Sequence, residues 1–333
     1  MGVHTYSPDS LASNRHPGNH ATPSGKLSAS VGICAYNEEA TIGSHLQSLQ
    51  RQELNRVEVV QIMVVSSACR DRTNEIVERL RQEDDRIELI QQPERRGKAS
   101  AVNLFLQEAR AGTCILVSAD TVLAPRTIEH LCLPFLDERV GMTGGHAIPV
   151  NDPSTFMGFA SHLIWHLAHE VSLTAPKLGE LIAFRNIVDR IPEDTAVDEA
   201  SIEAVVTQKG YSLRYVPEAI IYNRGPDTVS DYIKQRRRIY AGHLDLKKTS
   251  EYKVSTMSSP KLLRLVSRSI RPSWRSIFWT PGAMMLEFYA RLLGAYDFRI
   301  RRRKPYIWDI ATSTKVAFKD DPSIAGDSAV QDI

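Results

Sequence analysis

Between residues 28 and 120, short apolar runs alternate with stretches of helical period, and this alternation is the strongest constraint on the fold. Residues 31–35, 59–65, 86–91 and 113–118 are rich in Val, Ile and Leu and read as strands. Between them Ile42, Leu46 and Leu49, then Ile76, Val77 and Leu80, then Ala101, Val102, Phe105 and Leu106 recur at helical spacing. Thr73 and Asn74 are candidate caps for the second helix. Repeated β–α units of this length imply an α/β fold with a mostly parallel central sheet and helices on both faces. In such sheets ligands bind beyond the carboxyl ends of the strands. The fourth run ends abruptly in Ser118-Ala119-Asp120. Asp120 therefore stands where Mg2+ or Mn2+ can be held against a substrate phosphate. The plainer alternative makes it the opener of a turn toward Pro125.

The second half is less regular. Residues 140–150 carry Gly141, Gly144 and Gly145 and read as a strand with close backbone approach. Residues 156–173 look helical and 179–185 strand-like. A helix follows Asp198-Glu199, runs through Val206 and stops at Gly210. Residues 213–216 and 219–222 read as two strands, and 229–246 as a helix.

Composition narrows the function classes. A net charge of +2 argues against nucleic acid as a partner. Cys34, Cys69, Cys114 and Cys132 show no CxxC spacing and read as reduced thiols of a cytosolic protein. No dinucleotide glycine fingerprint follows the first strand, which argues against a nicotinamide enzyme. The first residues lack a signal peptide's apolar core, and no apolar run is long enough to span a membrane. Residues 1–27 and 319–333 have the polar composition of disordered tails.

Six ordered features now resemble a known family. Ala35-Tyr36-Asn37-Glu38-Glu39 is similar to the YNEE turn of family 2 glycosyltransferases. The loop around Asp71 and Thr73 occupies the place of that family's DDGSxDGT loop. Arg96-Gly97-Lys98-Ala99, with Ala101 and Asn103, matches RGKAxAxN. Ser118-Ala119-Asp120 sits at DxD. Asp198-Glu199, Gly210-Tyr211 and residues 216–219 follow the ED…GY…PEA run, and Gln235 with Arg238 echoes QxxRW. The resemblance implies a GT-A (nucleotide-diphospho-sugar transferase) fold over residues 28–250 and transfer of a sugar from a nucleotide sugar to an acceptor hydroxyl, with inversion. It also implies a divalent cation held by Asp120. It gives donor binding to Ala35, Tyr36, Asn37, Glu38, Ser67, Lys98, Ser118, Ala119, Gln235 and Arg238. The sequence departs from the pattern at Ser66, Ser67 and Ser118, where acids are usual, at the inverted Asp198-Glu199 pair, and at Ile239, where Trp is usual. A serine can hydrogen-bond a base or ribose but brings no charge. Those serines support the alternative of a non-catalytic descendant that binds a nucleotide or a membrane partner. A sugar nucleotidyltransferase fits the same fold, but the glycine-rich loop expected after the first strand is missing.

The chemistry can be stated from the residues themselves. Cleaving a sugar–diphosphate bond builds negative charge on the leaving group, which a cation and Arg donors stabilise in a water-poor cleft. Gln235 and Arg238 are three apart on one helical face and can both reach that group. The other reading of Arg236, Arg237 and Arg238 is a basic face turned to solvent or lipid. The attacking hydroxyl must lose a proton, and Glu199 or its neighbour Asp198 is the candidate base. The acid that is not the base then complements the first turn of its helix. His162, His166 and His169 share a helical face with Glu170, but without an HExxH pattern they are not read as a metal site.

Residues 251–318 carry a different message. Arg264, Arg268, Arg271, Arg275, Arg291, Arg299, Arg301, Arg302 and Arg303 are interleaved with Trp274, Phe278, Trp279, Met284, Met285, Phe288 and Tyr289. Two readings stand side by side. One is a helical extension lying on an anionic membrane surface, on the inner face of the cell membrane, near a lipid-linked or membrane-presented acceptor. The other is a helical pair packed on the catalytic domain.

Overall fold

The computed structural model describes residues 25–250, 274–301 and 312–318. The expected tails therefore lie outside the described residues apart from 25–27, as do residues 251–273 with Arg264, Arg268 and Arg271, and Arg302 and Arg303. The chain alternates β1 (Leu27–Ala35), α1 (Ile42–Gln50), β2 (Val57–Ser67), α2 (Thr73–Arg81), β3 (Ile87–Gln92), α3 (Lys98–Glu108) and β4 (Thr113–Ser118). Then come β5 (Thr121–Leu123), α4 (Thr127–Cys132), β6 (Val140–Pro149), α5 (Phe156–Thr174), β7 (Leu181–Arg185), α6 (Asp198–Gln208), β8 (Ser212–Asn223), α7 (Val229–Ser250) and α8 (Trp274–Tyr296).

All eight strands join one sheet in the order β3-β2-β1-β4-β7-β6-β8-β5. The β3-β2-β1-β4 half is parallel, as the β–α repeats require. Beyond β4 the sheet is mixed: β7 runs antiparallel to both β4 and β6, β8 parallel to β6, and β5 antiparallel to β8. The alternation within a strand feeds two cores. Ile115 and Val117 join the cluster under α1, α2 and α4, whereas Cys114 and Leu116 join the one under α3 and α6. With both faces covered, β4 can be apolar throughout, and its five residues before Ser118 are all buried.

Local differences from the sequence reading have physical causes. β8 is one strand instead of two; its pairing with β6 shifts register between Gly144 and His146, which takes up the break around Pro217. β5 and α4 are too short to show a period. Thr73 does not cap α2: its hydroxyl accepts the Glu38 N–H at 2.8 Å and donates to Asp71. Gly145 does mark a close approach, since a Cβ there would stand 2.6 Å from the Ala219 carbonyl oxygen. Gly210, at φ +85°, follows the end of α6 as a left-handed stop.

Candidate active site

The parallel half of the sheet delivers the ends of β1, β2 and β4 to one edge, and β7 completes it from the opposite direction. Leu181 opens β7 opposite Val117, so Glu180 lies beside the end of β4. Here a cavity of about 380 Å³ opens. Ala35, Tyr36, Glu38, Ser67, Lys98, Ser118, Ala119, Asp120, Glu199, Gln235 and Arg238 line it. Two expected residues stand behind its wall. Asn37 accepts the Arg70 N–H at 2.9 Å, and the Asp198 side chain is 2 % exposed.

The β1–α1 turn is held from outside the cavity. Asn37 takes φ +53°, which asparagine tolerates, and its N–H donates to Cys69 Sγ at 3.2 Å. The Asp71 carboxylate accepts the Glu39 N–H at 3.0 Å. Asp71 and Thr73 therefore lock two loops together. Ser67 donates to Gln92 Oε1 at 2.7 Å, and Gln92 Nε2 donates to Ser100 at 2.9 Å. Where an acid is usual, this chain thus has a neutral hydrogen-bonded string.

Acids and cations alternate across the cavity. Lys98 opens α3 and pairs with Glu199 Oε1 at 2.6 Å and Asp198 Oδ2 at 2.7 Å. Burial pushes the Glu199 carboxyl up, but the Lys98 ammonium and the backbone of the first turn of α6 outweigh it and hold Glu199 below the usual range. Asp198 is held above that range by burial and by Glu199. Burial lowers the Arg238 guanidinium to about 10 against the pull of Asp198, Glu199 and Glu180, so it stays cationic at neutral pH. Burial and the Asp120 charge raise both Glu38 and Glu180 to about 7, and burial raises Asp120 itself. Burial pushes the Cys34 thiol up to about 12, which removes it as a nucleophile.

Two residues of the site are not among those expected from sequence. Glu180 belongs to the 179–185 stretch, which resembles the acceptor-side strand of family 2 glycosyltransferases, and the antiparallel register of β7 brings it into the site. Lys315 enters from the far end of the chain and pairs with Glu38 at 2.6 Å. A third reading needs correction. Arg236 and Arg237 do not present a solvent- or lipid-facing basic face. Arg236 makes a two-pronged pair with Glu287 at 2.7 and 2.8 Å, and Arg237 pairs with Asp297. Two of the three α5 histidines have separate partners. His162 meets the Asn151 carbonyl at 2.9 Å, and His169 meets the Tyr215 hydroxyl at 2.8 Å while stacking on His146. Among the described residues no cluster of His, Cys, Asp and Glu forms a metal cage.

Comparison with known families matches residues 30–205 to the glycosyl transferase family 2 model. The chain belongs to glycosyl transferase family 2. An N-acetylglucosaminyltransferase of Mesorhizobium japonicum is 24% identical over 255 residues, covering 68% of this chain and 59% of the relative. A poly-beta-1,6-N-acetyl-D-glucosamine synthase of Staphylococcus aureus is 23% identical over 257 residues, covering 73% of this chain and 61% of the relative. The family 2 chain thus spans about three fifths of the length of these relatives. Among solved structures, the mannosyltransferase PcManGT of Pyrobaculum calidifontis, in complex with GDP-Man and Mn2+, superposes with a TM-score of 0.57 at 21% identity, covering 80% of this chain and 84% of that one. This likeness bears out the GT-A fold.

Proposed function

We propose that the chain moves a sugar from a nucleotide sugar to an acceptor hydroxyl with inversion, aided by a divalent cation. One observation carries the reading: Asp120, the Lys98–Glu199 pair, Gln235 and Arg238 converge on a single cavity although they come from four separate places in the chain, the turn after β4 and the helices α3, α6 and α7. Glu199, ionised at neutral pH, takes the acceptor proton. The acceptor oxygen forms its bond to the anomeric carbon as the bond from that carbon to the diphosphate oxygen breaks. The electron pair leaves with the nucleoside diphosphate. Gln235 and Arg238 donate to that group where its charge grows. A direct displacement of this kind needs a base but no protein nucleophile. Lys98 keeps Glu199 ionised and fixed, and it shares its charge with Asp198.

A hard cation fits the oxygen-rich end of this cavity. Burial holds the Asp120 carboxyl above its usual range, and its charge helps raise both Glu38 and Glu180, so added positive charge at Asp120 would be stabilised. Asp120 would hold Mg2+ or Mn2+, with diphosphate oxygens and water completing the shell. Bound there, the cation supplies Lewis-acid stabilisation of the leaving diphosphate.

The acceptor is assigned to a membrane surface, at the inner face of the cell membrane. No helix among the described residues is long and apolar enough to cross a membrane. Among the described residues, eight of the twelve large apolar side chains that stand exposed lie between Ile277 and Ile300, among them Phe278, Met285, Phe288 and Leu292. Met285, Phe288, Leu292 and Tyr296 recur at three- and four-residue steps along α8, with Arg275, Arg299 and Arg301 near its two ends. An apolar stripe bordered by cations fits an anionic lipid surface.

Turnover of UDP- and GDP-sugars with MnCl2 tests the enzymatic reading, with Asp120→Ala as the control and the anomeric configuration of the product read by NMR. Nucleotide binding without turnover of any donor supports the non-catalytic alternative. Retained configuration rules out the single displacement. Sedimentation of the full chain with phosphatidylglycerol vesicles, against neutral vesicles and the Phe278→Glu/Phe288→Glu variant, tests the membrane assignment. Equal recovery in the supernatant in every arm rules it out.

A further inference from the structure

Residues 312–318 lie far along the chain from the elements they touch. Thr312–Thr314 forms a single tight turn. The Ser313 hydroxyl donates to Asp231 Oδ2 at 2.8 Å, and its N–H to the same atom at 3.3 Å. Asp231 stands near the amino end of α7, outside the cavity lining. The next residues enter the cavity: Thr314 is 8 % exposed, and both Thr314 and Lys315 line the wall. The Lys315 ammonium donates to the Tyr36 carbonyl, to the Asn37 carbonyl at 3.1 Å and to Glu38 Oε1 at 2.6 Å. It also lies 5.6 Å from the centre of the Tyr36 ring.

An ammonium has three N–H groups, and here protein oxygens accept all three. None remains to point at an incoming diphosphate. The atoms it occupies belong to the β1–α1 turn, the place that the resemblance to family 2 glycosyltransferases gives to the donor nucleotide. Ligand and segment therefore compete for the same groups.

We propose that residues 312–318 are an intrasteric strap. It occupies the nucleotide end of the cavity in the ligand-free protein and is displaced by the nucleoside diphosphate. Lys315 is its latch and the Ser313–Asp231 contact its hinge-side anchor. The proposal rests on the reading of this cavity as a donor site. Its consequence is a reduced apparent affinity, because only the strap-open fraction of molecules binds.

Calorimetric titration of the full chain with UDP and with GDP, each in MnCl2, tests this. The proteins are wild type, Ser313→Ala, Lys315→Met and Asp120→Asn. Loosening either anchor is expected to tighten nucleoside diphosphate binding by about three- to tenfold. Ser313→Ala touches no group in the cavity, so its effect reports the strap rather than the site. In parallel, nucleotide with Mn2+ is expected to speed tryptic cleavage after Lys315 in the wild type. Weaker binding in Lys315→Met together with nucleotide protection of Lys315 overturns the strap and makes the segment a lid that holds the donor. Unchanged affinity in both variants also overturns it, while leaving the donor site intact. Absence of binding in every protein, wild type included, overturns the donor-site reading and the strap with it.

Discussion

At the scale of single residues, two adjacent acids at the start of α6 have different environments and so different expected roles. Lys98 holds Glu199 ionised, whereas Asp198 lies behind it with its carboxyl pushed up. Replacing Glu199 by Gln is expected to lower kcat about 10²- to 10⁴-fold, the usual loss when a general base is removed. Asp198→Asn is expected to change kcat by less than about tenfold. Steady-state kinetics on both variants checks this, and the opposite order would move the base to Asp198. Lys98→Met removes the charge that lowers the Glu199 carboxyl, so the acid limb of the kcat/KM profile is expected to shift to higher pH. Glu180 gives a stability test. Its folded value of about 7 lies above the ordinary 4.5, because of burial and then of Asp120 and Glu199. A raised carboxyl contributes stability that is whole below about pH 4.5 and lost as pH rises through about 7. Glu180→Gln is therefore expected to unfold about 2–3 kcal/mol less readily than wild type at pH 8, with no difference near pH 4. Urea unfolding at the two pH values decides it. The acids at 120, 198 and 199 were legible in the sequence because each follows a strand or opens a helix. Glu180 was legible only as part of a stretch resembling an acceptor-side strand, and strand register carries it into the site.

At the scale of elements, the α7–α8 contact shows what an unpatterned basic run can conceal. Gln235, Arg236, Arg237 and Arg238 are consecutive, yet they divide between two jobs. Gln235, Arg236 and Arg238 line the cavity, while the guanidinium groups of Arg236 and Arg237 pair with the Glu287 and Asp297 carboxylates contributed by α8 and the turn after it. Glu287 also pairs with Arg291 at 2.8 Å and accepts the Tyr232 hydroxyl at 3.0 Å. The backbones come close at Gly294, where a Cβ would stand 2.6 Å from the Arg237 carbonyl oxygen. The helix α8 therefore has two unlike faces: a packed face fixed by ion pairs and an exposed apolar one. Sequence could not separate them, since the partners are some fifty positions apart in the chain. Burial raises the Glu287 carboxyl, but Arg236 and Arg291 outweigh it and bring it to about 2. A depressed carboxyl gives stability that is present above about pH 4.5 and lost as pH falls through about 2. Glu287→Gln is expected to destabilise the protein by about 3 kcal/mol at pH 7, because it leaves Arg236 and Arg291 without their anion. The same variant should flatten the acid side of the stability curve. Thermal unfolding from pH 7 to pH 3 reads both effects, and a variant whose loss does not shrink toward low pH would show that packing, not charge, holds α8.

At the scale of the whole molecule, the two halves of the sheet differ in how far sequence predicts them, and the site sits on their seam. The parallel half follows from β–α repetition, because each unit's apolar period fixes its element and the crossover fixes its direction. The mixed half carries no such repeat: β7 has five residues, β5 has three, and β8 slips register against β6. Its partners are therefore set by tertiary packing, as the close fit of Gly145 on Ala219 shows. The seam gathers Glu38, Asp120 and Glu180 from β1, β4 and the approach to β7, so folding itself brings like charges together. That arrangement costs stability in the ligand-free protein and is offset when positive charge arrives. A ligand that binds the folded state alone raises stability by RT ln(1 + [L]/Kd), about 2.7 kcal/mol at a hundred times Kd. For a chain of this size that is expected to raise Tm by about 3–6 °C. The increase should need the divalent cation and the nucleoside diphosphate together, since neither alone completes the oxygen shell at Asp120. It should be larger at pH 8 than at pH 5.5, where the Glu180 carboxyl is protonated and the repulsion to be relieved is smaller. Differential scanning fluorimetry with MnCl2, UDP and both, on wild type and Asp120→Asn, checks each part. An equal rise in the Asp120→Asn protein would show that the cation binds elsewhere and that the seam is not where diphosphate charge is received.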